Sequence, residues 1–218
     1  MVLIRWHGHA CFEVVTSKGT VIVIDPHDGF SIGLKPPRVQ ADIVLITHEH
    51  FDHNAYAIVA KPNAQILSMF IGEKTLDDIH IKGVEAYHDR ERGRRRGRTS
   101  LYKIVVDNIA FVHLGDLGHE LNEKYSKNFG SIDILMIPVG GTYTIDHRSA
   151  WSVIEVLKPK TVIPMHYWVK GLNLPLRPVE DFLSLKPDDW EYRKVETNQL
   201  NIDASSIPNK VIYVLTLP

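Results

Sequence analysis

Short apolar runs bounded by polar turns recur along the chain, and their length and β-branched content predict strands. The segments expected to form strands are Leu3–Trp6, Cys11–Val15, Thr20–Asp25, Ile43–Ile46, Gln65–Ser68, Ile79–Ile81, Val84–Ala86, Leu101–Val106, Ile109–Val112, Ile132–Pro138 and Val162–Met165. Two or three more strands are expected between Tyr192 and Leu217. Asp107-Asn108 predicts a hairpin turn between two of these strands.

One segment carries a clear helical signal, because four apolar side chains recur at helical intervals: Ala150, Val153, Ile154 and Leu157. Thr144 or Asp146 is suited to cap this helix, and Pro159 ends it. Shorter helices are expected between His53 and Lys61, at Ile71–Leu76, at Glu120–Lys127 and at Val179–Leu185. Strands first, then strand–helix alternation, predict a layered α/β fold with two sheets in a single domain over residues 1–218.

Composition argues against several classes of protein. The net charge of −1 gives no overall electrostatic attraction to nucleic acid or to an anionic membrane. The one cysteine, Cys11, excludes an intramolecular disulfide and a thiolate-rich zinc site. No apolar run reaches membrane-spanning length, and Met1–Arg5 is too short for a signal peptide, so we expect a cytoplasmic protein without a membrane partner.

The densest chemistry in the chain lies between Thr47 and Asn54. Three imidazoles and one carboxylate form the pattern H-x-H-x-D-H there: His48, His50, Asp52 and His53. Such side chains crowded into one turn would repel and desolvate one another unless a cation held them together. The apolar run Ile43–Ile46 precedes them, so the cluster is expected at the carboxyl end of a core strand, where α/β proteins usually bind ligands.

Metal-competent side chains also follow other apolar strands. Five predicted strands end in one: Asp25, His48, His88, Asp116 and His166. This regularity predicts that the strand ends converge on one edge and build one site. The candidate metal ligands are five imidazoles and two carboxylates: His48, His50, Asp52, His53, His88, Asp116 and His166. Because a zinc ion usually takes four ligands, this set predicts two ions that share a carboxylate.

The order of these residues resembles the metallo-β-lactamase superfamily. Thr47-His48-x-His50-x-Asp52-His53 is similar to its signature, and the other landmarks stand in the same order: Asp25, His88, Asp116 and His166. Further stretches resemble its lactonase-like, UPF0173-type branch: Gly8-His9-Ala10, Asp25-Pro26, His113–His119, Pro138–Tyr143 and Ile163–Tyr167. The resemblance implies a four-layer αββα sandwich with the metal site at one edge of the two sheets.

The resemblance also implies which ion each residue would hold. His48, His50 and His88 would bind the first ion, Asp52, His53 and His166 the second, and Asp116 would bridge them. Asp25 would hold the histidine loop through hydrogen bonds. His113 competes with His88 because it lies close to Asp116 in sequence. We favour His88, since His113 lies within a strand and is suited to pack there or to orient Asp116.

Other residues are candidates for catalysis and substrate binding. Asp52 is suited to orient the nucleophile or receive its proton, and His119 or Tyr143 to protonate the leaving group. His9 and Tyr143 are candidates to line the pocket. Six arginines follow His88 closely: Arg90, Arg92, Arg94, Arg95, Arg96 and Arg98. Guanidinium groups suit phosphate, so we expect one or two of these arginines, with Arg98 as the first candidate, to contact an anionic substrate; the alternative is a solvated charged loop.

Together, the residues and the resemblance predict a dinuclear metal-dependent hydrolase in which a hydroxide bridging two divalent cations attacks an ester-type bond. A phosphodiester and a phosphorylated lactone both suit the arginine loop, so the expected partner is a small anionic molecule. Zinc and manganese are the expected metals, with iron as a third candidate. A di-iron redox enzyme and a non-catalytic metal-stabilised binding module stay open as alternatives, as does a homo-oligomeric state.

Overall fold

Two β-sheets and three α-helices make up the structure, a computed structural model that describes residues 1–218. The strands are β1 (Val2–Trp6), β2 (Phe12–Val15), β3 (Val21–Ile24), β4 (Ala41–Ile46), β5 (Ala60–Ser68), β6 (Gly72–Leu76), β7 (Ile79–Tyr87), β8 (Arg98–Val106), β9 (Ile109–His113), β10 (Ile134–Pro138), β11 (Thr161–Met165), β12 (Glu191–Val195), β13 (Gln199–Ile202) and β14 (Val211–Leu215). The helices are α1 (Glu123–Phe129), α2 (His147–Leu157) and α3 (Val179–Leu183). None of these helices has the length and apolar character needed to cross a membrane.

The two sheets differ in size, and each contains a set of neighbouring parallel strands. The first sheet has the order β13-β1-β2-β3-β4-β5, and the second has the order β12-β14-β11-β10-β9-β8-β7-β6. Strands β3, β4 and β5 are parallel in the first sheet, as are β9, β10, β11, β14 and β12 in the second. Parallel strands place their carboxyl ends at the same edge of a sheet. The two-sheet α/β architecture predicted from the sequence is confirmed.

Side chains of the first sheet alternate between two apolar environments, as the period of a strand requires. In β4, Ile43 and Leu45 join the large core, whereas Val44 and Ile46 join a smaller cluster on the opposite face. Val59, in the loop before β5, helps to close that smaller cluster. Both faces of β4 are therefore covered, which explains its continuous apolar sequence.

The predicted helix cap and hairpin are both present. The side chain of Asp146 accepts the N–H groups of Arg148 and Ser149 at the start of α2, and the apolar face predicted for this helix is buried. Helix α2 contacts α1 and α3, so the helices pack together. Asp107 and Asn108 join β8 to β9, with left-handed φ angles of 50° and 59°.

Two helices predicted before β7 are wrong. The segment between His53 and Lys61 contains only a 3₁₀ turn at Tyr56–Ile58, and β5 begins at Ala60. Pro62 fits this edge strand because it lies where the pairing with β4 is irregular. In the segment Ile71–Leu76, residues Gly72–Leu76 form the edge strand β6, because antiparallel pairing with β7 outweighs the weak helical tendency of the segment.

The strands expected at Ile79–Ile81 and Val84–Ala86 are one continuous strand, β7. Gly83 lies between the two expected pieces. A Cβ atom at this position would lie 1.8 Å from the carbonyl oxygen of Phe70. The glycine therefore allows the chain before β6 to cross closely over β7, and it does not interrupt the strand.

Tyr102 ties the two sheets together near the histidine cluster. Its ring is buried, and its hydroxyl lies 3.0 Å from the carbonyl oxygen of Ile46 and 3.1 Å from that of Leu67. The same hydroxyl accepts the N–H of Phe70 at 3.0 Å. Because Ile46 ends β4 directly before Thr47, this contact fixes the start of the histidine loop against the second sheet.

We expect Tyr102→Phe to lower the free energy of unfolding by about 1–3 kcal/mol, because it removes the contacts of the hydroxyl with two carbonyl oxygens and leaves the N–H of Phe70 without this acceptor. Urea unfolding followed by circular dichroism measures the change. Tyr213→Phe is the control: its hydroxyl bonds only Arg193 at an exposed site, so a change below about 0.5 kcal/mol is expected. Equal destabilisation by both variants would contradict the role assigned to the Tyr102 hydroxyl.

Candidate metal centre

The strand ends singled out in the sequence meet at one edge of the two sheets. Asp25 follows β3 and His48 lies just after β4 in the first sheet, whereas in the second His88 follows β7, Asp116 lies beyond β9 and His166 follows β11. All five side chains are buried. Both sheets therefore contribute polar groups to one site in the protein interior.

The carboxylate of Asp116 occupies the centre of this edge. Its Oδ1 lies 3.3 Å from Nε2 of His53, and its Oδ2 lies 3.2 Å from Nε2 of His88 and 3.3 Å from Nε2 of His166. Nε2 of His48 lies 3.8 Å from the same Oδ2. One carboxylate thus faces four imidazoles drawn from both sheets, an arrangement that suits a ligand shared between two ions.

The other candidate ligands fall into two compact groups. Within each group the ligand atoms all lie within 4.8 Å of one another. The first group consists of His48, His50 and His88, and the second of His9, Asp52, His53 and His166. The structure therefore brings together the residues expected to hold each ion, with His9 added to the second group. A third group, Asp25, His48 and His53, overlaps both.

Several buried atoms of this cluster have no hydrogen-bond partner: Nε2 of His48, Nε2 of His53, Nε2 of His166 and Oδ1 of Asp116. An unpaired polar atom in a protein interior costs about 1–3 kcal/mol. A divalent cation would coordinate imidazole nitrogens and carboxylate oxygens together, and zinc, manganese and iron accept this mixture of donors. The residues present therefore fit a metal centre.

Asp25 orients the histidine loop, which is the role expected from the sequence. Its Oδ1 accepts the N–H of Thr47 at 2.7 Å, and its Oδ2 accepts the Thr47 hydroxyl at 2.7 Å. The same Oδ2 lies 3.1 Å from Nδ1 of His53, and the Thr47 hydroxyl lies 3.0 Å from Nδ1 of His48. These contacts engage Nδ1 of each ring, so Nε2 is the nitrogen of both rings that faces the cluster and would bind a cation in the neutral imidazole form.

The charges within the cluster follow from burial and from neighbouring groups. Burial favours the neutral carboxyl form of Asp116, but the charges of His166, His53 and His88 outweigh it and hold the pKa well below its usual range. Burial, followed by the charge of His53, lowers the pKa of His48 well below 6.5. An ionised Asp116 and a neutral His48 are the states in which these side chains bind cations.

His9 is a buried neighbour of the candidate ligand Asp52. Its ring is fully buried, and its Nε2 lies 3.1 Å from Oδ2 of Asp52. Burial, followed by the charge of His166, lowers the pKa of His9 to about 3. A neutral ring donates its Nε2 proton to Asp52, so His9 is placed to orient that carboxylate and not to contact substrate.

His113 is occupied by the backbone. Its Nε2 lies 2.9 Å from the carbonyl oxygen of Ala10, and its Nδ1 accepts the N–H of Gly115 at 3.0 Å. With both ring nitrogens engaged, His113 shapes the turn that leads to Asp116. His88, and not His113, lies among the clustered ligand atoms.

A cavity of about 470 Å³ opens over the cluster, and we call it the metal chamber. Its lining residues are Glu49, His50, Phe51, Asp52, His88, Arg96, Asp116, Tyr143 and Leu174. Tyr143 therefore lines the pocket, as the sequence suggested. Phe51 was not predicted from the sequence because its side chain has no metal-donor atom, although it lies inside the histidine motif. Leu174 was not predicted because it lies in a distant loop without a recognisable sequence signal.

Two residues expected at the site point elsewhere. Nε2 of His119 accepts a backbone N–H at 3.3 Å and its Nδ1 lies 2.9 Å from a backbone carbonyl oxygen, so neither nitrogen is free for substrate. Arg98 belongs to β8 and pairs with Glu85 of β7, with Nη1 and Oε2 2.9 Å apart. Neither residue lines the metal chamber, whereas Arg96 does.

Known proteins share this sequence pattern. The profile of a family described as the beta-lactamase superfamily domain matches residues 3–166. A UPF0173 metal-dependent hydrolase from Thermococcus onnurineus is 33% identical over 192 residues, which cover 77% of this chain and 85% of that protein. A UPF0173 metal-dependent hydrolase from Thermococcus kodakarensis is 31% identical over 194 residues, with the same 77% and 85% coverage.

Solved structures share the fold. A Thermotoga maritima protein, named as a candidate Zn-dependent hydrolase of the metallo-beta-lactamase superfamily, has a TM-score of 0.77 and 35% identity over 99% of both chains. Igni18, named as a metallo hydrolase from Ignicoccus hospitalis, has a TM-score of 0.64 and 25% identity, and covers 83% of this chain and 88% of its own. The chain belongs to the metallo-β-lactamase superfamily and, within it, to the UPF0173 metal-dependent hydrolases.

Proposed function

We propose that this chain is a dinuclear metal-dependent hydrolase that cleaves an ester-type bond of a small anionic molecule. The observation that carries the proposal is the Asp116 carboxylate, which faces imidazoles of both ligand groups. In this proposal His48, His50 and His88 hold one cation, Asp52, His53 and His166 hold the other, and Asp116 is shared. Zinc and manganese are the first candidates, and iron is the third because the same donors suit it.

Held by these residues, two divalent cations would lower the pKa of a bound water molecule and would stabilise negative charge that develops on the substrate. Asp52 lines the metal chamber and is suited to receive a proton from the attacking water. Burial raises its pKa, but the hydrogen bond from His9 and the charge of His53 outweigh burial and keep the carboxyl ionised. Tyr143, which also lines the metal chamber, is suited to donate its hydroxyl proton to the leaving group.

The lining of the metal chamber favours hydrolysis of a small molecule over the other functions considered. A binding module needs an exposed apolar surface, whereas here the candidate ligands open into a cavity with both charged and apolar residues. A di-iron redox enzyme would use the same donors, but the two Thermococcus relatives described above are named hydrolases. Both expected substrates, a phosphodiester and a phosphorylated lactone, offer an anionic group to Arg96.

Asp116→Ala is expected to lose metal and activity together. Loss of a residue that is hydrogen-bonded to a metal ligand weakens metal binding roughly 10–100-fold. Loss of a ligand shared by two ions should weaken metal binding by more than this. The protein is loaded separately with zinc, manganese and iron. Its metal content is measured by mass spectrometry, and its turnover is measured with an aryl phosphodiester and with an aryl carboxylic ester. Asp188→Ala, at an exposed position, is the control. Full activity in Asp116→Ala would contradict a bridging role for Asp116. If the wild-type protein held two ions but hydrolysed neither ester, the binding-module alternative would be favoured.

Asp25→Asn is expected to weaken metal binding about 10–100-fold, although Asp25 is not itself assigned as a ligand. An amide offers only one acceptor oxygen, so the contacts to the Thr47 hydroxyl and to Nδ1 of His53 are lost or reversed. Competition with a chromophoric chelator measures the affinity. Asp28→Asn is the control, since this carboxylate bonds only Ser31 at the surface. Unchanged affinity in Asp25→Asn would show that the histidines are oriented by other contacts.

A further inference from the structure

The arginine-rich segment after β7 is an ordered loop. Residues 88–97 join β7 to β8, whose ends pair at Tyr87 and Arg98. The carboxylate of Asp89 accepts four backbone N–H groups at 2.7–3.0 Å, from Glu91, Gly93, Arg95 and Arg96. These four hydrogen bonds fix the loop next to the candidate ligand His88.

One arginine of this loop, Arg96, lines the metal chamber, and its guanidinium has no carboxylate partner. Arg95 and Arg98 each pair with a glutamate, at 2.7 Å and 2.9 Å, so their charges are compensated. Arg96 has no such pair, and its guanidinium carbon lies 4.6 Å from the ring centroid of Tyr143. Stacking on an aromatic ring holds a guanidinium in place but does not neutralise its charge, and the N–H groups at its edge stay available.

Arg96 stands where two cavities meet. Beside the metal chamber lies a second cavity of about 550 Å³, which we call the arginine chamber. His88, Arg96 and Tyr143 line both chambers. The two acidic side chains that line the arginine chamber interact within the loop: Asp89 accepts backbone N–H groups, and Glu91 forms a salt bridge with Arg95. Arg90, also in its lining, donates only to the hydroxyl of Ser149, at 3.2 Å, so the chamber carries uncompensated positive charge.

We propose that the arginine chamber binds a second anionic group of the substrate, a phosphate monoester or carboxylate that is not cleaved, and that Arg96 determines this specificity. The inference rests on the proposed hydrolase function, because it assigns the scissile ester bond to the metal chamber and the charged group to the adjoining one. The planar guanidinium matches two oxygens of such an anion. Asp89 holds the Arg96 backbone and Tyr143 holds its side chain, so binding costs little conformational freedom.

Two matched esters test this assignment on the metal-loaded, full-length protein. The para-nitrophenyl pentanoate ester is neutral, whereas the mono-para-nitrophenyl ester of glutarate ends in a carboxylate. Arg96→Gln should lower the ratio of kcat/KM for glutarate over pentanoate by about tenfold or more, mainly through KM for the glutarate ester. Arg94→Gln is the control, because it removes an equal charge from an exposed side chain of the same loop that lines neither chamber.

Phosphate binding gives a readout that does not depend on turnover. Inorganic phosphate is titrated by calorimetry into metal-free, full-length protein, with circular dichroism to check the fold. Arg96→Gln should weaken phosphate binding by about tenfold or more, and Arg94→Gln should not. Arg96→Lys keeps the charge but loses the planar fork, so its affinity should fall between those of Arg96→Gln and the wild type.

Equal effects of Arg96→Gln and Arg94→Gln on the ester ratio and on phosphate affinity would overturn the proposal, because general attraction to a positive loop would then explain both. Lack of phosphate binding by the wild-type protein would overturn it as well. If no metal-loaded form hydrolyses either ester or the aryl phosphodiester while Arg96 still controls phosphate affinity, the hydrolase proposal fails and the anion site stands. The two proposals are therefore judged separately.

Discussion

A buried carboxylate that faces four imidazole nitrogens is the constraint on which the rest of the site depends. The imidazoles around Asp116 follow strands of both sheets, so the sheets must meet at this edge in a fixed relation. Ionisable groups this close together in a protein interior are costly unless each is paired. A cation is the one partner that all of them can share. On the proposed function, metal binding therefore also stabilises the packing of the two sheets.

The surrounding structure holds these donors in place at some cost to the backbone. His9, Asp25 and His166 adopt left-handed conformations, with φ of 53°, 47° and 52°. Such a conformation costs about 1–3 kcal/mol for a residue with a side chain and persists only where its surroundings enforce it. Here the N–H of His166 donates to the carbonyl of His9 at 3.0 Å, and the carboxylate of Asp25 bonds Thr47. The strained residues and the hydrogen bonds that hold them lie within the same site, and together they direct side chains towards the cluster.

The candidate ligands were readable from the sequence because their chemistry is local: four lie in one motif and three others follow apolar runs. What depends on tertiary contact was not readable. Gly83 is a crossing point and not a strand break, because a carbonyl from another segment passes over it. Arg98 was preferred over Arg96, yet Arg98 already belongs to β8 and pairs across to Glu85, while Arg96 still belongs to the loop that Asp89 fixes. Which arginine faces the site is decided by where the strand begins, and the sequence alone does not mark that point.

In the two proposals, the same short segment serves metal binding and anion recognition through adjacent residues. His88 faces Asp116, whereas the next side chain, Asp89, faces the loop that carries Arg96. Gly118 packs against their backbone so closely that a Cβ there would lie 2.2 Å from the carbonyl carbon of His88. Because His88 and Asp89 are held between this glycine and the loop, arginines beyond Asp89 can change without moving the ligand. Substrate preference can thus vary through the loop while the metal-binding residues stay the same.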